Sequence, residues 1–150
     1  MSVPDAAPSD PGEIGPALYA CISGPAGAPR DWARFRTLFA PEARLLPLVD
    51  AADGARPEVF DVEGYVASRA PLLASVSFWE VEVERRVDVW RDAAHVLSSY
   101  ESRREPDGAA FLTGANSIQL FRAGGRWRIV SMLWDNGRDA ERRIRGDARS

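Results

Sequence analysis

The chain has 150 residues, 45% hydrophobic and 27% charged, the size and balance of one ordinary globular domain. This composition excludes collagen-like, coiled-coil and wholly disordered chains, and no uncharged apolar run approaches the ~20 residues that a membrane span needs. With 22 acidic against 19 basic residues and a net charge of −3, it lacks the basic field that non-specific nucleic-acid binding requires.

All the basic residues are Arg, which fits the codon bias of a GC-rich bacterial genome and rules out lysine Schiff-base chemistry. The single Cys21 has no partner for an internal disulfide and reads as a buried, inert thiol. Residues 1–11, MSVPDAAPSDP, have neither the basic start nor the apolar stretch of a secretory signal. They read as a flexible arm, and a cytoplasmic location is the expectation. Ser9 and Asp10 can cap a helix with Pro11 in its first turn. Ile14, Leu18, Cys21 and Ile22 carry that helix to about Ser23. Residues 24–29, GPAGAP, form a loop. Asp31 caps a second helix whose apolar face is Trp32, Phe35, Leu38 and Phe39, closed by Pro41.

Ala43 to Val49 reads as a strand, with Pro47 placing it at an edge or bulge. Residues 50–57 form a turn-rich loop, and Glu58 to Phe60 a second short strand. Asp61 caps a third helix through Tyr65, Val66 and Leu72 that Pro71 ends or kinks. The remainder alternates with period two. Strands are predicted over residues 76–90, 93–105, 111–122 and 126–135, with turns at Pro106-Asp107-Gly108 and Ala123-Gly124-Gly125. Helices followed by a meander of long strands make an α+β plan. Residues 137–150 read as a charged C-terminal tail, with at most one helical turn.

Two stretches in that order of elements carry a family resemblance. One is Phe35-Arg36-Thr37-Leu38-Phe39-Ala40-Pro41-Glu42-Ala43, and the other Gly125-Arg126-Trp127-Arg128-Ile129-Val130-Ser131. Over residues 12–136 the chain resembles the nuclear transport factor 2-like superfamily, which includes SnoaL-like cyclases and steroid Δ-isomerases. The resemblance implies a cone-shaped, curved antiparallel sheet wrapped around three N-terminal helices. It also implies a deep apolar interior and a homodimer formed through the outer sheet face. Fold alone assigns no reaction, because the superfamily holds enzymes, ligand binders and interaction modules.

Candidate chemistry rests on a few titratable groups. His95 is the only histidine and the first general-base candidate, set against a solvated strand-end residue. Glu101, with Arg103 on the same parity, is either a carboxylate-binding pair or a surface ion pair. Asp135 ends the last strand, where the cyclase aspartate of the resemblance would fall; Tyr19 matches the isomerase tyrosine. The positions of the isomerase base and of its oxyanion-hole acid fall on Leu46 or Pro47 and on Ser117. Turn alignment directs Met132 and Trp134 into the cone beside Ser117, Gln119 and Phe121, a parity that one bulge would reverse. Tyr100 and Asn116 are further lining candidates, and Trp32 closes the interior from the helices.

The expected function is binding of a small hydrophobic molecule in a mostly apolar pocket, or an isomerase, cyclase or dehydratase activity by acid–base chemistry. Neither metal nor cofactor is expected, nor is a nucleic-acid or membrane partner. The alternative is an interaction or dimerisation module whose pocket is filled. A void lined by Tyr19, Tyr100, Gln119, Met132 and Trp134 would separate the two.

Overall fold

The computed structural model describes residues 3–146, so residues 1–2 of the expected arm and 147–150 of the expected tail lie outside it. Pro11–Glu13 form a 3-10 turn capped by Asp10, which runs into α1 (Ile14–Ile22). The loop after α1 folds around one side chain. Arg30, 7% exposed, donates to the backbone carbonyls of Ile22, Gly24, Pro25, Ala28, Leu73 and Val76. A buried charge is tolerated only when its hydrogen bonds are met, and here carbonyl dipoles meet them. Arg30 thereby ties the α1–α2 loop to the end of α3.

The helix capped by Asp31, α2 (Trp32–Thr37), is shorter than its apolar face predicts. The following strand β1 (Phe39–Ala51) begins before Pro41, which lies inside it. Phe39 already pairs with the last strand, and tertiary pairing overrides the local helical spacing. The loop predicted over residues 50–57 contains β2 (Gly54–Pro57), while Phe60 only bridges Leu45. Helix α3 (Val62–Ala74) is capped by Asp61 and continues past Pro71. The long strands are β3 (Trp79–Trp90), β4 (Ala93–Arg103), β5 (Ala110–Ala123) and β6 (Arg126–Asp135).

The six strands form one curved, unclosed sheet in the order β2-β1-β6-β5-β4-β3. Strand β1 is therefore not an edge, the first of the two settings that Pro47 suggested; a register shift does occur in it, between Phe39 and Arg44. Its pairing with β6 is parallel, so the sheet is antiparallel everywhere except there. The whole length from β2 to β5 separates these two strands, and a parallel neighbour needs such a long connection. The α+β cone is otherwise as expected. Its core lies between the concave face and the helices, around Ile14, Phe35, Leu38, Leu45, Trp127 and Ile129. No described helix is long and apolar enough to cross a membrane.

Both ends of the described chain are held. Ala7 is fully buried, and the Pro8 carbonyl accepts from the Trp127 amide at 2.8 Å. The Asp5 carboxylate pairs with Arg128 at 2.6 Å, and this partner pulls its pKa down to about 2. Asp5 to Pro8 are thus held against β6, within the stretch expected to be a flexible arm. At the other end, α4 (Ala140–Arg145) returns to the open end of the cone.

Candidate functional site

Directly paired strand residues share a face, so one known position fixes its neighbours. Along β4 the buried residues are Ala94, Val96, Ser98, Tyr100 and Ser102, and these point into the cone. Glu80 pairs with Ser102, and Glu82 with Tyr100, so both glutamates also point inward. The register shifts between Glu82 and Glu84, which turns Glu84 outward beside Ser99.

A cavity of about 350 Å³ opens between the concave sheet and the helices. Leu18, Ile22, Tyr65, Leu72, Leu73 and Phe78 make its walls apolar. Tyr19, Glu80, Tyr100 and Asn116 supply polar groups, while Met132 and Trp134 line the β6 side. The open end is bounded by Asp50, Glu58, Arg69 and the Asp139–Arg142 segment.

Glu80 is the unusual member. Its amide bonds Ser23 Oγ at 3.0 Å, but its carboxyl group has no hydrogen-bond or ion-pair partner among the described residues. The side chain keeps some accessible surface, toward the cavity it lines, yet protein surrounds it. Desolvation lifts its pKa from the ordinary 4.5 to about 8. Tyr19, Tyr65 and Tyr100 line the same cavity; burial chiefly raises their pKa values, and the charge of Glu80 adds to the rise.

The hydrogen bonds on the Tyr19 hydroxyl can be oriented by elimination. Ser98 Oγ donates to Glu82 Oε2 at 2.7 Å, and that carboxylate is held by Arg85 at 2.7 Å. Having donated its one proton, Ser98 accepts from Tyr19 Oη at 2.7 Å. Asn116 Nδ2 then donates to Tyr19 at 3.0 Å. The Tyr19 proton is committed to Ser98 and is not available to a ligand. Gly15 permits this cluster to pack against α1, since a Cβ there would lie 2.5 Å from Glu82 Oε2. Tyr100 lies across from Gly114, where a Cβ would lie 2.5 Å from its hydroxyl. Among the described residues no side chain takes up the Tyr100 proton as Ser98 takes that of Tyr19; burial raises the Tyr100 pKa, and Asn136 beside the hydroxyl offsets part of that rise.

Of the residues singled out in the sequence, Tyr19, Tyr100, Asn116, Met132 and Trp134 line the cavity. Ser117, Gln119 and Phe121 do not. Counting back from the hairpin would pair Met132 with Ser117, but the register shift between Gln119 and Leu120 pairs it with Ile118 and Trp134 with Asn116. Strand β5 keeps one parity, with Leu112, Asn116, Ile118 and Leu120 buried, while the extra residue Val130 shifts β6 so that Met132 and Trp134 join the Asn116 face and Ser117, Gln119 and Phe121 stay outward. His95 points outward with Leu97 and bonds Ser117 at 2.9 Å. Glu101 also points outward, in an ion pair with Arg103 at 2.9 Å. Asp135 is exposed and accepts from the Gly137 amide, a turn role. Trp32 is half-buried against Phe35 and does not line the cavity.

Glu80 went unselected because Phe78, Glu80, Glu82 and Glu84 share a parity that looks like a solvated strand face. Buried Phe78 on that parity was the available signal. Among the described residues, no three His, Cys, Asp or Glu side chains come together to hold a metal ion.

No protein-family model and no curated protein matches the chain. Solved structures do match. A Nostoc punctiforme protein of unknown function with a cystatin-like fold is 12% identical, with a TM-score of 0.64 over 83% of this chain and 86% of that one. A Novosphingobium aromaticivorans protein, provisionally described as the β subunit of an aromatic-ring-hydroxylating dioxygenase, is 17% identical, with a TM-score of 0.61 over 83% and 84%. A nuclear transport factor 2-like protein from Cytophaga hutchinsonii is 12% identical, with a TM-score of 0.61 over 83% and 93%. The fold is that of the nuclear transport factor 2-like and cystatin-like proteins, as the sequence resemblance implies.

Proposed function

We propose that this protein binds a small, largely apolar molecule inside the cone and exchanges a proton with it through Glu80. The observation that carries this reading is the carboxyl group of Glu80, left without a partner in an apolar cavity. Keeping such a group there costs free energy, and groups displaced in this way mark functional sites. A carboxyl that titrates near neutrality is matched to general acid–base work. The Tyr100 hydroxyl would donate to a ligand oxygen as charge develops on it, the role first expected of Tyr19. The chemistry is of the isomerase, cyclase or dehydratase kind and needs no cofactor. The open cavity supports this reading over an interaction module with a filled interior.

The test uses 2-naphthol, an apolar body with one acidic O–H, followed by its fluorescence. Binding is expected in the native protein and is abolished by Met132→Trp, which fills the cavity. In Glu80→Gln, binding persists but its pH dependence near neutrality disappears. Naphthol binding unaffected by Met132→Trp would defeat the reading. The outer sheet face is proposed to pair two copies of the chain, and its test is given in the Discussion.

A further inference from the structure

We propose that the cavity selects a ligand whose apolar body carries a protonated amine, with the ammonium group paired to Glu80 among the rings of Tyr19, Tyr65 and Tyr100. This rests on the reading that the cavity binds a small molecule, and it adds the ligand's charge. The first support is the charge left over on the walls. Of the five acids there, Asp50 is held by Arg138 at 3.6 Å, Asp139 by Arg142 at 2.8 Å and Glu141 by Arg69 at 3.0 Å. Glu58 and Glu80 have no ion pair among the described residues, while Arg142 Nε is buried without a hydrogen-bond partner. No described guanidinium pairs with Glu80.

The second support is the surroundings of Glu80 itself. Aromatic faces attract cations, most strongly where water is excluded. Tyr19 and Tyr100 pack with ring centroids 5.7 Å apart and Tyr65 and Trp134 with centroids 5.6 Å apart, and all four rings line the cavity together with Glu80. An ammonium supplies the counter-charge that the fold omits. A neutral carbonyl compound would instead accept from protonated Glu80 and from Tyr100, and would leave the carboxylate form without a partner.

Proton bookkeeping separates the two cases. An ammonium that pairs with Glu80 requires the carboxyl to ionise, so the O–H bond breaks and the proton leaves to solvent. If the amine enters as the free base, the same proton forms its new N–H bond. An alcohol changes neither group.

Three probes with one aromatic body test this by calorimetry on the full chain at neutral pH: 2-phenylethylamine, 2-phenylethanol and 3-phenylpropionate. The amine is expected to bind at least about tenfold more tightly than the alcohol, and the propionate more weakly than both. Only the amine's heat should vary with the ionisation heat of the buffer. Glu80→Gln should bring the amine down to the alcohol's affinity. Equal affinities for amine and alcohol in the native protein would overturn the inference while sparing the cavity reading. Retention of the amine preference in Glu80→Gln would do the same. If none of the three binds, and 2-naphthol also fails, both readings fall together.

Discussion

Glu80 couples function to stability. Its carboxyl titrates near 4.5 when solvated and near 8 in the folded chain. Between those values the folded state holds a proton that the unfolded state has lost. Stability therefore falls as pH rises from about 4.5 to about 8, and the slope ends on either side. Glu80→Gln removes that slope. Thermal melts should show little difference from the native protein near pH 5 and a more stable variant near pH 8, by on the order of a few kcal/mol. A parallel pH profile for the two proteins would show that Glu80 is solvated after all. Arg30 makes the opposite case, a buried charge whose donors are fully used. Arg30→Ala leaves carbonyls from the α1–α2 loop and the end of α3 unpaired. Urea unfolding should show a loss of about 3–5 kcal/mol, the usual cost of breaking a buried charged network. Arg30→Lys should recover only part of it, because an ammonium has three donors and no planar fork.

Among the elements, α4 is the least firmly held. It buries no residue completely. Its ties are largely polar: Arg104 to the Arg143 carbonyl at 2.6 Å, Arg143 to the Phe111 carbonyl, and the Arg69–Glu141 pair. Exposed ion pairs contribute about 0–1 kcal/mol each, so the helix is expected to open locally well below the cost of global unfolding. Hydrogen exchange should find α4 amides exchanging much faster than those of β4 and β5. Arg69→Ala should speed them further and raise both the entry and the exit rate of 2-naphthol. Exchange in α4 as slow as in the sheet would contradict this. The β5–β6 pair teaches a different lesson. The bulge at Val130 changes the inward parity of β6, from Trp127 and Ile129 to Met132 and Trp134, while β5 keeps its own, and only Asn116 of the four polar or aromatic candidates on that strand faces the cavity. Counting across the hairpin from Met132 without that extra residue assigns the opposite face of β5 to the cavity.

For the whole molecule, the convex face carries Leu97, 40% exposed, and Leu133, 37% exposed, near His95 and Ser117. Apolar side chains on a broad sheet face favour association. Sedimentation is expected to give a dimer that Leu97→Glu with Leu133→Glu converts to monomer, with naphthol binding retained because those residues face away from the cavity. A native monomer at the same concentration would remove this claim. The pairing would also bury His95 and Ser117, which gives these outward residues a place in assembly rather than in chemistry.

The sequence by itself determined the order of elements and the Asp31 and Asp61 caps, which follow from local spacing, turn residues and period-two alternation, all written within a few residues of each other; the cone was implied by the family resemblance. It also identified Tyr19, Tyr100, Asn116, Met132 and Trp134 as cavity residues, since aromatic and polar groups on the right elements have few other places to go. The tertiary structure alone decided the rest. It placed one extra residue in β6, which sets Met132 and Trp134 beside Asn116, ran β1 parallel to β6, and brought the charged C-terminal segment over the cavity. It also turned Glu80 from one of a row of strand glutamates into an unpaired carboxyl among three tyrosines. That last change depends on Glu80 pairing with Ser102 and on α1 and α3 closing over both. Burial of that kind is a property of the assembled fold, and no local pattern encodes it.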